Sequence, residues 1–148
     1  MMFSFPSPEW VRAYRDAINA SASYREASAA WTHGAVAMIV NAQADIGLPQ
    51  AVGVWLDLDR GTCREAKVVT PAEASTAPFV LTADYARWKQ VLRKELGPIA
   101  GIMQRKIALQ GSLPIVVKFI KSAEALVETA TTVPTKFMDE TDGRPVKG

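Results

Sequence analysis

Cysteine occurs once in this chain, at Cys63, and histidine once, at His33. A single thiol forms no internal disulfide, which fits a reducing compartment, and one thiol with one imidazole cannot assemble the usual zinc ligand sets. Excess charge of one sign is lacking too: 17 Lys and Arg stand against 15 Asp and Glu, a formal net charge of +2, with no dense basic run. A phosphate-backbone partner, and so nucleic acid, is not expected. No window approaches eighteen uninterrupted apolar residues, and Met1-Met2-Phe3-Ser4-Phe5-Pro6 has no basic segment leading into an apolar run. These absences point to a soluble, cytoplasmic protein with at most transient membrane contact; Val146-Lys147-Gly148 is not the peroxisomal tripeptide.

Catalytic constellations are as sparse. Gly97-Pro98-Ile99-Ala100-Gly101 lacks the spacing and the preceding strand of a nucleotide-binding loop. His33 lies beside a glycine between a predicted helix and strand, where a structural role is expected. Cys63 falls in a predicted strand, so Arg64 points to the opposite face and cannot lower its pKa. Asp57 and Asp59 share the wet face of a strand and read as solubilising. No metal, no cofactor and no enzymatic activity is expected.

At 148 residues one domain is the natural size, large enough to bury a core without staples. Ser7-Pro8 opens a helix through about Ala20 with Trp10, Tyr14, Ala17 and Ile18 inward, and Ser23-Tyr24-Arg25-Glu26 has capping-box spacing for a second helix that ends before Gly34. Its apolar stripe is Tyr24, Ala27 and Trp31. Strands are predicted over 34–43, 51–59 and 63–70 as a meander, with a turn at Asp59-Arg60-Gly61-Thr62, then over 79–82 and 106–110. Pro71 to Pro78 reads as a loop. A helix from about Ala83 to Leu96, ended by Gly97-Pro98, separates the last two strands, and such a crossover favours a parallel neighbouring pair in a mostly antiparallel sheet. The fold class is α/β, one five-stranded sheet with its helices. Residues 131–148 read as a polar, turn-rich tail after a domain of residues 1–130, although Val133, Phe137 and Met138 interrupt its polarity.

The most informative stretch is Met103-Gln104-Arg105-Lys106-Ile107-Ala108-Leu109-Gln110-Gly111-Ser112-Leu113. Alternation from Lys106 to Gly111 predicts a strand, after which Gly111, Ser112 and Pro114 provide a turn, a cap and a helix start. On the helix that follows, Ile115, Val116, Phe119, Ile120, Ala123, Leu126, Val127 and Ala130 gather into an arc somewhat broader than the roughly 100° a surface helix needs. Lys118, Lys121, Ser122, Glu124 and Glu128 occupy the other face.

This string resembles the C-terminal signature of the type-two sterol carrier proteins, the nonspecific lipid-transfer family. There a Gly-Pro or Asp-Pro turn leads through a short helix ending Phe-Met-Gln into a Gly-Lys-Leu-Lys-Ile strand, a Gly-Asn turn and a final amphipathic helix. Met103-Gln104, Lys106-Ile107, Leu109 and Gly111 follow that order, and Pro98 stands at the turn. Arg105 takes the place of the family's glycine, and Ala108 and Gln110 replace two lysines. The resemblance implies a five-stranded sheet with helices packed on one side and an apolar tunnel between them, covered at its mouth by the final helix. It implies a carrier for a fatty-acyl, sterol or phospholipid tail, with Met103, Leu109, Ile115, Val116, Phe119, Ile120 and Ala123 as candidate lipid contacts and Gln104, Arg105 and Lys106 as candidate headgroup contacts. The alternative reading is an accessory or protein-interaction module that keeps the carrier fold and binds a partner or its own copy.

Overall fold

The computed structural model describes residues 2–140 together with the backbone of Thr141, Arg144 and Pro145. Of the predicted tail, residues 142, 143 and 146–148 lie outside the described residues, as does Met1. The chain opens with a short strand, β1 (Phe3–Phe5), and helix α1 (Pro8–Ala20). The Ser7 hydroxyl accepts the Trp10 N–H at 3.1 Å and Pro8 fills the first turn, so the sequence signal for this helix start is the one used. Trp10, Val11, Tyr14 and Ile18 recur every three or four residues, and all are buried. The second helix, α2 (Ala22–Ala27), is capped by Ser21, which accepts the Tyr24 N–H at 3.1 Å, and not by Ser23. Ser21 also closes α1, so one residue serves both helices.

Strands β2 (Val36–Val40), β3 (Val52–Asp59) and β4 (Thr62–Val69) form the expected meander. Arg60 (φ 49°) and Gly61 (φ 89°) make its tight turn, two positive φ values in succession as a primed hairpin turn demands. A Cβ on Gly61 would come within 2.9 Å of the Arg25 carbonyl oxygen, which adds a steric requirement for glycine. A four-residue helix, α3 (Pro71–Ala74), stands in the predicted loop before β5 (Phe79–Ala83). Then come α4 (Tyr85–Leu92), α5 (Pro98–Met103), β6 (Ala108–Gln110), α6 (Leu113–Lys118), α7 (Ile120–Thr131) and β7 (Thr135–Phe137).

Sheet order is β4-β3-β2-β5-β6. The parallel pair is β2 with β5, because the chain crosses from the β4 edge through α3 to reach the other side of β2. The predicted location of that pair is corrected: β5 and β6 run antiparallel, with Leu81 opposite Leu109. Residues of β2 alternate between two cores. Val36, Met38 and Val40 face the main one, under α1, α4 and α7. Ala37 and Ile39 face a small cluster that α3 covers with Ala74. Apart from α3, the helices pack on one face of the sheet.

The segment after α7 is tied down. Its strand β7 pairs in parallel with β1, and Val133 and Phe137 are buried in the main core. The Tyr85 hydroxyl donates to the Phe5 carbonyl at 2.6 Å and accepts the Met138 N–H at 2.8 Å, so one phenol holds both strands. Lys89 reaches Asp139 and Glu140, each at 3.0 Å, and Arg93 reaches Glu140 at 2.8 Å. The same two cations lie over the Phe137 ring at 5.3 and 5.1 Å.

Candidate apolar cavity

Between the sheet and α6–α7 the core is not filled. A first hollow of about 80 Å³ is lined by Tyr24, Trp31, Phe79, Leu109, Val116 and Phe119 among others. A second, of about 90 Å³, is lined by Trp10, Tyr14, Met38, Trp88, Val91 and Val127 among others. Val36, Leu81, Ala123 and Leu126 border both, so the two are neighbouring chambers divided by a thin apolar partition. No charged side chain lines either chamber. Ligand pockets commonly run from about 300 Å³ upward, so a long apolar tail enters only if the wall moves.

The wall over the first chamber is the α6–α7 elbow. Ser112 caps α6, its hydroxyl accepting the Ile115 N–H at 3.4 Å. The single long helix predicted here is interrupted at Phe119 (φ −102°, ψ 35°), although neither glycine nor proline stands there. The break lodges the Phe119 ring edge-on against Trp31 at 5.0 Å and His33 at 5.6 Å, with Phe79 behind Trp31 at 5.2 Å. Tertiary contact, not local propensity, marks this position. His33 is thus part of an aromatic cluster at the rim of the first chamber.

Polar groups near the chambers are neutral. The Ser28 and Ser122 hydroxyls meet at 2.8 Å, and Ser122 donates to the Ala27 carbonyl at 2.9 Å, which pins α7 to α2. Burial pushes the Tyr24 phenol up to about 12 against an opposing hydrogen bond from Ser28. Burial also raises Tyr14, whose hydroxyl donates to the Leu126 carbonyl at 2.8 Å. Trp88 donates to the Ile39 carbonyl at 3.0 Å. Among the described residues no buried side-chain nitrogen or oxygen lacks a partner. The cavity can therefore accept hydrocarbon without displacing orphaned polar groups, while an ionised headgroup would find no counter-charge inside and must stay at a mouth.

Of the residues singled out from the sequence, Leu109, Val116, Phe119 and Ala123 line the first chamber, and Ala123 the second as well. Ile115 packs half-buried against the core without lining either chamber. Met103 is 64% exposed and Ile120 37% exposed, both on the outer surface. Gln104 and Arg105 are exposed and Lys106 half-buried in the turn before β6. Arg105 sits at φ 59°, a left-handed position that accounts for glycine being the favoured residue there. Sequence reasoning missed Phe79, Leu81 and Leu126 as wall residues and took Tyr24 and Trp31 for plain core. Helical periodicity marked Tyr24, Trp31 and Leu126 as inward, but which inward residues meet across the cavity is a long-range fact.

Cys63 is fully buried at the start of β4, with its backbone N–H and carbonyl both held by Asn19. Burial pushes its thiol up to about 11, away from a reactive thiolate. Among the described residues no three of His, Cys, Asp and Glu come together that could hold a metal ion, and no helix is long and apolar enough to cross a membrane.

Residues 16–124 match the SCP-2 sterol transfer family. A crystal structure of sterol carrier protein 2 superposes with a TM-score of 0.80 at 35% identity, covering 86% of this chain and 97% of that one. A solution structure of a conserved hypothetical protein from Thermus thermophilus, described as a candidate sterol carrier protein, gives 0.79 at 34% identity over 88% of this chain and 90% of its own. The apo sterol carrier protein 2 of Yarrowia lipolytica shares the fold at 15% identity, with a TM-score of 0.54 over 82% of this chain and 88% of its own. No curated protein matches the chain.

Proposed function

The chain belongs to the SCP-2 sterol transfer family, and from that premise we propose that it is a non-catalytic carrier that shields the apolar part of a lipid in the cavity under α6–α7. The observation that carries this reading is the pair of adjoining chambers with no charged residue in their walls. A fatty-acyl, sterol or phospholipid tail suits such walls, with the headgroup outside. Burying a sixteen-carbon tail at about 0.8 kcal/mol per methylene gains roughly 12 kcal/mol, and micromolar affinity needs only about 8. The difference of about 4 kcal/mol is available for fixing the chain and for swinging the elbow outward.

Native mass spectrometry of freshly purified protein tests the reading. A monomer carrying an added lipid mass, released by organic extraction, is expected. An unladen monomer that also ignores a fluorescent fatty acid at tens of micromolar would remove the carrier reading, and a clean unladen dimer would favour the interaction module instead.

A further inference from the structure

From Gly97 to Ala123 the sequence contains no acidic residue and four cations, Arg105, Lys106, Lys118 and Lys121. None of these four takes part in an ion pair among the described residues. The same block holds three of the four large apolar side chains exposed on the described surface: Met103, Val117 at 46% and Ile120 at 37%. Val117, Lys118, Ile120 and Lys121 are exposed on either side of Phe119, which with Val116 lines the first chamber. One face of a single turn therefore touches the cavity while the other presents apolar tips between lysines. On the α2 side Lys121 borders a groove with Glu26, Glu124 and Glu128, which marks the edge of the basic face.

We propose that the outer face of the α6–α7 elbow docks on an anionic lipid bilayer, with Val117 and Ile120 entering the headgroup layer and Lys118 and Lys121 meeting lipid phosphates. Apolar tips alone would suit any hydrophobic partner, but four cations that form no ion pair among the described residues, in a stretch of sequence without acid from Gly97 to Ala123, select a negatively charged one. A bilayer is favoured over an acidic protein because the exposed apolar groups are small and convex rather than set in a groove. Docking places the membrane's grip on the segment that must move for a tail to enter. That use rests on the carrier reading, whereas the docking itself does not.

Vesicle flotation of the full chain tests this, comparing phosphatidylcholine vesicles with an equal mixture of phosphatidylcholine and phosphatidylglycerol. The chain should float with the mixed vesicles, less so as salt rises, and not with the neutral ones. The Lys118→Gln/Lys121→Gln pair should weaken flotation roughly thirtyfold, the equivalent of about 2 kcal/mol for two basic residues at the surface. Val117→Asp should weaken it too, whereas Lys67→Gln on β4 should not. All these side chains are surface groups, and melting curves verify that folded protein enters each assay. Equal flotation on both vesicle types, or elbow variants that float like the parent, would overturn the proposal. So would full competition by polyglutamate with Val117→Asp showing no effect, which would point to an acidic protein surface. A parent chain that carries a lipid mass yet fails to float sinks the docking alone, and one that floats unladen leaves it standing while the carrier reading fails.

Discussion

Val116 and Ile18 separate a wall from a core. Val116 lines the first chamber, so in Val116→Trp the indole can enter that chamber and remain largely dry. Its melting temperature should stay close to that of the parent, while fluorescent fatty-acid affinity falls at least tenfold, the loss of about 1.4 kcal/mol of tail contact. Ile18 is fully buried and lines neither chamber, so Ile18→Ala should cost about 2–5 kcal/mol yet leave binding intact in the folded fraction. A Val116→Trp protein that melts early and binds normally would show that this part of the arc is plain core. Arg105 offers the opposite case. Its left-handed backbone costs an L-residue about 1–2 kcal/mol, part of which glycine gives back as unfolded-chain entropy. Arg105→Gly should therefore raise stability by about 0.5–1 kcal/mol, a rise in melting temperature of about 2 °C, and an unchanged or lower value would show the turn already relaxed.

At the scale of elements, what was legible followed from local chemistry. Ser7-Pro8 announced α1, and Arg60-Gly61 announced the β3–β4 turn, because capping and positive φ are decided within a few residues. The predicted cap for α2, Ser23 with Glu26, gives way to Ser21, which the end of α1 sets against the Tyr24 N–H. The break at Phe119 had no local sign, since the aromatic partners that hold the ring come from residues some ninety positions away in sequence. Pairing of β5 with β6 was misjudged in direction for the same kind of reason: a helix between two strands permits either sense once a second helix, α5, also intervenes. The ion pairs that tie the segment after α7 were equally hidden, because their partners stand about fifty positions apart in the sequence. Among them, partial burial pushes the Glu140 carboxyl up, but hydrogen bonds from Lys89 and Arg93 outweigh it and hold the group below its ordinary value. A lowered carboxylate contributes stability above its unfolded value of about 4.3 and loses it as pH falls through the folded one. Glu140→Gln should accordingly melt below the parent near neutrality, with the gap closing as pH falls below about 4. A gap that persists in acid would assign the difference to packing.

For the whole molecule the alkaline side is the more exposed flank. Cys63, Tyr24 and Tyr85 are all raised by burial, to about 11, 12 and 12, and Tyr14 is raised as well. In the unfolded chain a thiol ionises near 8.5 and phenols near 10, so these groups contribute stability that is complete below those values and is lost as pH rises through the folded ones. Tyrosinate absorbance should then appear in one step together with loss of circular dichroism, between about pH 9 and 12. A gradual titration that precedes unfolding would mean the phenols reach solvent in the folded state.

The two chambers have a consequence for the molecule's volume. Unfolding eliminates internal voids, and the volume decrease on unfolding scales with them. On the carrier reading, the unladen chain is the form that hydrostatic pressure undermines. On the same reading, a tail occupying the chambers would remove most of that mechanical weakness, and cargo would make the same polypeptide a stiffer and less compressible body.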